Sequence, residues 1–370
     1  LQKILFLTLK VFSATGGIEK VCKIAGKALF EISEEESGRL DIYSMYDAPN
    51  DVNDTYFPAT IFKGFGINKV KFAFDSVRKG IQCDAVLLSH VNLLLIGSII
   101  KFLSPKTKLV LYAHGIEIWD ALPGWKKKLL HSFNLVVAVS NFTRQKLLQA
   151  QQVKPERCVV LGNCLDPFLA KPVDTVKSEV LLQRYGFDKQ DFVLLTVSRL
   201  TARDRNKGYE KVLQAMQTLK LEVSNLKYLI VGKYDAEEKI WLDGMITKFD
   251  LTGSVAISGY IADADMPAHF NLADLYIMPS IKEGFGIIFI EAMFYGLPII
   301  AGNKDGSADA LANGTLGILV DPADLQQISD AIKIVVANKS AYVPGMEKVI
   351  EAFGYPTYEA GLERILKNVA

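Results

Sequence analysis

The residues best placed to do chemistry lie in one run, Pro279-Ser280-Ile281-Lys282-Glu283-Gly284-Phe285-Gly286-Ile287-Ile288-Phe289-Ile290-Glu291-Ala292. It follows an apolar stretch, residues 275–278, that reads as a strand. Glycines in such a turn let backbone N–H groups approach a ligand closely, and the start of the helix that follows carries a partial positive charge suited to phosphate. Glu283 precedes the turn and Glu291 lies about two helical turns beyond it. Two carboxylates there cannot both serve a phosphate. They are placed to accept hydrogen bonds from hydroxyls on either side of it, and hydroxyls, diphosphate, hydroxyls is the outline of a nucleotide-sugar.

Three further groups supply matching chemistry. Arg199 follows the strand-like residues 193–197, and Arg203, Arg205, Asn206, Lys207 and Gly208 follow in the same loop. Arg199 and Lys207 read as a diphosphate clamp, guanidinium giving bidentate geometry and ammonium a compact charge, with Arg203 and Arg205 as alternatives for the second position. His114 stands in Ala113-His114-Gly115-Ile116-Glu117, just past the strand-like residues 108–112. Functional residues collect at such strand ends, and an imidazole there can orient a hydroxyl. Gly16 and Gly17, after the strand at residues 4–9, open a helix and expose N–H groups to an anion. Asp263-Ala264-Asp265 has metal-site spacing but sits in a loop and reads as structural. His90, His114, His131 and His269 are not spaced as metal ligands. No metal and no cofactor are expected.

These groups must be held by strands and helices. Short apolar runs at residues 4–9, 85–88, 108–112 and 135–139 alternate with longer amphipathic stretches. A second series runs through 192–197, 227–231, 255–257, 275–278 and 298–301. Runs of this length suit buried parallel strands joined by crossover helices, which is a doubly wound α/β arrangement. The pattern restarts after a Pro-containing, charged stretch at residues 165–190. At about 150 residues per domain, 370 residues make two domains. We therefore expect a first domain over residues 1–165, a second over 166–354, and a terminal amphipathic helix from 355 to 370 that packs back on the first. Leu362, Ile365 and Leu366 lie on one side of that helix.

The Glu283-to-Glu291 run resembles the Glu-x7-Glu signature of retaining family 4 glycosyltransferases of the GT-B fold. Pro279-Ser280 before it, Gly284-Phe285-Gly286 within it, and Glu291-Ala292-Met293 and Gly296-Leu297-Pro298 after it match as well. The resemblance runs over nearly the whole chain, dense at 192–322 and thin at 40–80. It implies two Rossmann-like domains facing across a deep cleft. The first would lie on the acceptor side and the second would bind a nucleotide-sugar. It further implies that His114 contacts the donor sugar and that Gly16 and Gly17 approach the diphosphate and the acceptor. Gly232, Gly259 and Tyr260 would bind base and ribose, alongside Gly284, Phe285, Gly286, Ile287 and Glu291. Hexose transfer with retention would run on the front face, where the leaving phosphate takes the acceptor proton without a metal. The Asp305-Gly306-Ser307-Ala308-Asp309 stretch and the long Arg-to-Lys loop are similar to members that use GDP-mannose on lipid-linked saccharides, with UDP-sugars as the alternative. A nucleotide-sugar epimerase or a non-catalytic nucleotide-sugar-binding protein are the competing readings of this architecture.

Charge adds one expectation about partners. Residues 1–165 hold 21 Lys and Arg against 14 Asp and Glu, a net +7, while the whole chain has only +1. Phe62, Phe65, Phe72 and Phe74 lie among Lys63, Lys69, Lys71, Arg78 and Lys79, and Trp125 precedes Lys126, Lys127 and Lys128. This is either an aromatic-basic surface for an anionic membrane or a set of core phenylalanines under a solvated basic rim. No nucleic-acid partner is expected. Cys22, Cys83, Cys158 and Cys164 form no Cys-x-x-Cys pair and read as reduced thiols. No run reads as a signal peptide or a membrane span, which suggests a cytoplasmic protein, peripheral at most on the inner face of a membrane.

Overall fold

Strand formation follows from apolar runs too short for a helix and hidden on both faces. Ala85–Leu88, Leu135–Ala138, Leu275–Met278 and Ile299–Gly302 are buried at every residue, as expected for parallel strands covered by helices on each side. The computed structural model describes residues 2–172 and 176–369; part of the stretch read as a linker, residues 173–175, lies outside them. Among the described residues, two parallel sheets account for all the named strands.

The first sheet contains β1 (Lys3–Thr8), β2 (Arg39–Ser44), β3 (Phe62–Gly64), β4 (Ala85–Leu88), β5 (Lys108–Ala113), β6 (Leu135–Ala138) and β7 (Cys158–Val160) in the order β3-β2-β1-β4-β5-β6-β7. Successive side chains along β1 enter opposite cores, Ile4 and Phe6 on one face and Leu5 and Leu7 on the other. The second sheet contains β8 (Phe192–Val197), β9 (Leu226–Val231), β10 (Val255–Gly259), β11 (Leu275–Met278), β12 (Ile299–Gly302) and β13 (Ile318–Val320) in the order β10-β9-β8-β11-β12-β13. Each order reverses once, between β1 and β4 and between β8 and β11. Loops diverge at such a reversal and open a crevice beyond the carboxyl ends of the two strands.

Two compact units result. One takes in the chain up to Pro167 together with the stretch from Phe353 onward, and the other runs from Phe168 to Ala352. The helix Tyr355–Val369 buries Tyr358, Leu362, Ile365, Leu366 and Val369 in the core of the first unit. Just before it, the Phe353 carbonyl accepts from Leu165 N at 2.8 Å.

The phenylalanines at residues 61–79 divide. Phe65 and Phe72 are buried, Phe62 packs against the core, and only Phe74 is exposed. The aromatic-basic surface expected there is thus mostly core. No helix among the described residues is long and apolar enough to cross a membrane. All four cysteines are buried free thiols, and burial pushes Cys83 and Cys158 up to about 11 and Cys22 to about 12.

Candidate functional site

In the second unit the chemistry gathers at the β8–β11 reversal. The loop after β8 passes Arg199, turns through a 3₁₀ segment at Ala202–Lys207, and enters the helix Tyr209–Leu219 at Gly208. The loop after β11 runs through Glu283 into the helix Ile287–Phe294. Gly208 has φ +82°, and a Cβ there would fall well inside contact distance of the Pro279 carbonyl. Only glycine lets the two loops touch. Ile281 N donates to Asn206 O at 3.0 Å and locks them together. As a result Lys207 Nζ lies 2.6 Å from Glu283 Oε2 and 3.3 Å from Lys282 O. The two side chains read separately as clamp and hydroxyl partner form one partly shielded ion pair.

The other cations of that loop have different fates. Arg205 Nε donates to Glu238 Oε2 at 2.8 Å, and its guanidinium lies over the Trp241 ring at 4.2 Å. Glu238 is fully buried and also accepts from Tyr209 OH at 2.5 Å. Arg205 therefore anchors the loop. Arg203 is exposed. The Arg199 side chain is 79% exposed, with its Nη2 3.6 Å from Asp204 Oδ1. It stays available to an incoming anion.

A second glycine contact props Glu283 from below. A Cβ on Gly306 would collide with the Gly284 carbonyl, and Gly306 N donates to Glu283 O at 2.8 Å. Asp305 fixes that loop, accepting from Ser280 Oγ at 2.6 Å and Ser307 N at 2.9 Å. Burial pushes the Asp305 carboxyl up to about 6, against the pull of those hydrogen bonds. Phe285 and Ile287 have buried side chains, so only their backbone can face a ligand. Glu291 is buried and is the fifth residue of its helix. It lies little more than one turn beyond Gly286, not the two turns expected, because the helix starts only at Ile287. Gly232 follows β9 and Gly259 ends β10, and they are joined by the hydrogen bond from Gly232 N to Gly259 O at 3.0 Å; Tyr260 beyond them is exposed. Asp263 and Asp265 belong to a short 3₁₀ turn before the helix Met266–Leu272.

In the first unit the loops after β1, β4 and β5 carry the candidates. His114 Nε2 lies 2.8 Å from the Ser89 carbonyl, so that nitrogen carries the proton and Nδ1 keeps its lone pair. Nδ1 is buried and makes no hydrogen bond. The ring stacks on Tyr112 with centroids 6.2 Å apart. Burial pushes His114 down to about 4, so it is neutral near pH 7 and its open nitrogen is an acceptor. Glu117 shapes the turn, accepting from His114 N at 2.6 Å and Gly115 N at 3.2 Å. Gly16 precedes the helix Gly17–Glu35, and the Glu19 carboxylate folds over the position a Gly16 Cβ would take. The helix start expected to meet a diphosphate is thus already faced by the chain's own carboxylate.

Asp47 was not singled out from the sequence, because Tyr46-Asp47-Ala48-Pro49 reads as an ordinary turn. It is fully buried and accepts from Val11 N at 2.6 Å, Phe12 N at 3.3 Å, Ser13 N at 2.7 Å and Ser44 Oγ at 2.6 Å. That one carboxylate holds the loop leading from β1 to Gly16.

Two parallel-sheet units with charged loops at a strand-order reversal have the architecture of the GT-B fold, and similarity to known proteins supplies the class, glycosyltransferase. Residues 177–359 match the family described as glycosyl transferases group 1, and residues 46–167 match glycosyltransferase family 4. The chain belongs to the family 4 glycosyltransferases. It is 26% identical over 282 residues to a GDP-mannose-dependent alpha-(1-6)-phosphatidylinositol monomannoside mannosyltransferase of Mycobacterium tuberculosis, covering 72% of this chain and 71% of that protein. The fold is similar to that of HepE from Anabaena in complex with UDP, with a TM-score of 0.81 at 21% identity over 99% of this chain and 100% of the other. Sucrose-phosphate synthase from Thermosynechococcus elongatus gives a TM-score of 0.77 at 17% identity, covering 99% of each chain.

Proposed function

We propose that the chain is a retaining hexosyltransferase that moves a hexose from a nucleotide diphosphate sugar, GDP-mannose or a UDP-sugar, to a saccharide or lipid-linked saccharide. The observation that carries this reading is the 2.6 Å pair of Lys207 and Glu283 at the β8–β11 reversal, with the exposed Arg199 on the same loop as Lys207. A diphosphate draws Lys207 and Arg199 to itself, which releases Glu283 to accept from a sugar hydroxyl. Gly232, Gly259, Tyr260 and Glu291 are assigned to the nucleoside side. In this reading the bond between the anomeric carbon and the phosphate oxygen breaks, and the bond to the acceptor oxygen forms on the same face. The acceptor proton passes to the departing phosphate oxygen. Lys207 and Arg199 stabilise the charge on the leaving diphosphate, the role a divalent cation would otherwise fill. Neutral His114, held by its Nε2 on the Ser89 carbonyl, is assigned to the donor-sugar side.

The M. tuberculosis relative is named for GDP-mannose and HepE was crystallised with UDP, so those two bases come first in a test. Thermal shift with UDP, GDP, ADP and their sugars selects the donor. Turnover of the labelled donor with and without EDTA, and NMR of the product anomer, then check metal independence and retention. Donor isomerisation without stoichiometric nucleotide release would make the chain an epimerase, and binding without turnover would make it a binding protein.

A further inference from the structure

We propose that the first unit docks on an anionic lipid bilayer through the outer face of three neighbouring helices, Lys69–Gly80, Leu94–Leu103 and Gly124–Leu130. All three pack on the same side of the first sheet, where Phe72, Ile96, Ile100 and Leu130 share one core cluster. Leu94–Leu103 lies between the other two. Gly80 comes so close to it that an added Cβ would strike Ile100, and Ser98 Oγ lies 3.5 Å from Ser132 Oγ just past the third helix. Their outward sides therefore form one continuous surface.

That surface is apolar where a soluble helix should be polar. Leu95, Ile99 and Phe102 recur at the spacing of one helical stripe, opposite the buried Gly97 and Ile100, and Phe102 is 83% exposed. Val70 and Phe74 continue the stripe on one neighbour and Trp125 on the other, Val70 being 82% exposed. Scattered exposed apolar residues are ordinary, but a clustered stripe on adjacent helices marks a contact surface.

Charge selects the occupant. The three helices carry four, one and three Lys or Arg; Lys79 is spent on Asp41 at 2.6 Å and Lys101 on the Thr107 carbonyl at 2.8 Å, which leaves Lys69, Lys71, Arg78, Lys126, Lys127 and Lys128 beside a single helix carboxylate, Asp75, itself paired with Lys63 at 2.7 Å. Apolar side chains ringed by cations suit the boundary between headgroups and acyl chains in an anionic leaflet. At ten residues, Leu94–Leu103 is too short to span a bilayer and suits one lying flat on it. The face also borders the chemistry. Leu94–Leu103 begins just after β4, whose following residue Ser89 holds His114, and Lys126 Nζ reaches Asn92 Oδ1 at 3.2 Å. A lipid-linked acceptor would thus arrive beside His114, a consequence that rests on the reading under Proposed function; the docking itself does not.

Co-sedimentation tests the docking with no donor present. Purified protein should pellet with vesicles of equal parts phosphatidylcholine and phosphatidylglycerol at low salt, and about tenfold less with phosphatidylcholine alone. The Ile99→Ser, Phe102→Ser double variant should lose about tenfold or more in vesicle affinity while keeping the wild-type urea unfolding midpoint, which shows it folded. Replacing Lys126, Lys127 and Lys128 with Gln should remove most of the salt dependence. The proposal is overturned if wild type does not pellet with anionic vesicles, if it binds both vesicle types equally, or if the double variant binds like wild type. It is also overturned if sedimentation velocity without lipid shows a dimer that the double variant dissolves, since a second copy would then cover the face.

Discussion

The two units hold their functional side chains by opposite means. In the second, charged side chains hold one another: Lys207 with Glu283 at 2.6 Å, and Arg205 with the buried Glu238 at 2.8 Å. In the first, carboxylates grip backbone amides, Asp47 at Val11 and Ser13 and Glu117 at His114 and Gly115, while His114 itself hangs from a backbone carbonyl. Paired side chains can exchange partners when an anion arrives, because the incoming charge replaces the one that leaves. Carboxylates that satisfy buried amides cannot, because each released N–H would go unpaired. The Lys207–Glu283 pair can therefore yield to a charged ligand, whereas the loops held at backbone amides, those of Asp47 and Glu117 and, in the second unit, of Asp305, cannot.

The largest break in that contrast should come from Lys207→Ala. It removes the cation expected at the diphosphate and leaves Glu283 without its partner, so we expect turnover to fall about a thousandfold and nucleotide diphosphate binding to weaken with it. Glu283→Gln should lower turnover by about a hundredfold or more yet keep nucleotide diphosphate binding. Near-normal turnover in Glu283→Gln, measured with labelled donor, would remove Glu283 from the site.

In the first unit the comparable break is Asp47→Ala. It strips partners from three backbone amides and the Ser44 hydroxyl. Unfolding in urea should show a loss of roughly 3–5 kcal/mol. A loss confined to activity, with unchanged stability, would mean that the loop holds itself.

Acidity should separate the units more gently, and with opposite signs. Asp305 is held up at about 6, above its ordinary 3.8, so the folded second unit binds that proton more tightly than the unfolded chain does. The resulting stability is present below about pH 4 and is lost as pH rises through about 6. His114 is held down at about 4 from 6.5, so the folded first unit resists its proton. Its stability is complete above about pH 6.5 and is lost as pH falls towards 4. Each effect amounts to roughly 3 kcal/mol. Urea midpoints across this range should lose the first slope in Asp305→Asn and the second in His114→Gln; variants that keep the wild-type slopes would refute the assignment.

The smallest effect is expected from Arg199→Ala. Because the guanidinium is largely in solvent, its removal should weaken nucleotide diphosphate binding by about tenfold or less, and added salt should shrink the difference. A salt-independent loss would place Arg199 in a more enclosed contact.

The sequence by itself determined the α/β class, the two series of strands and the family, because burial along a parallel strand leaves a local mark. Residues 85–88 and 275–278 were legible as β4 and β11 to the residue. β3, β7 and β13 were not, being three residues long at or near sheet edges, and β2 was not, because Arg39-Leu40-Asp41-Ile42 alternates too briefly to stand out. The residue types of the site were legible too: Glu283 and the Arg199-to-Lys207 loop each stood beyond a strand. Their pairing was not. Lys207 and Glu283 are 76 residues apart and meet only because the sheet order sets β8 beside β11. Tertiary structure alone decided three further points: that Arg205 is spent on Glu238, that Asp47 holds a loop 34–36 residues away, and that Phe72 is core while Phe102 faces outward. A residue's type sets what it can bond or bury. Which neighbour satisfies it depends on the packing of elements distant in the chain, and no local pattern records that.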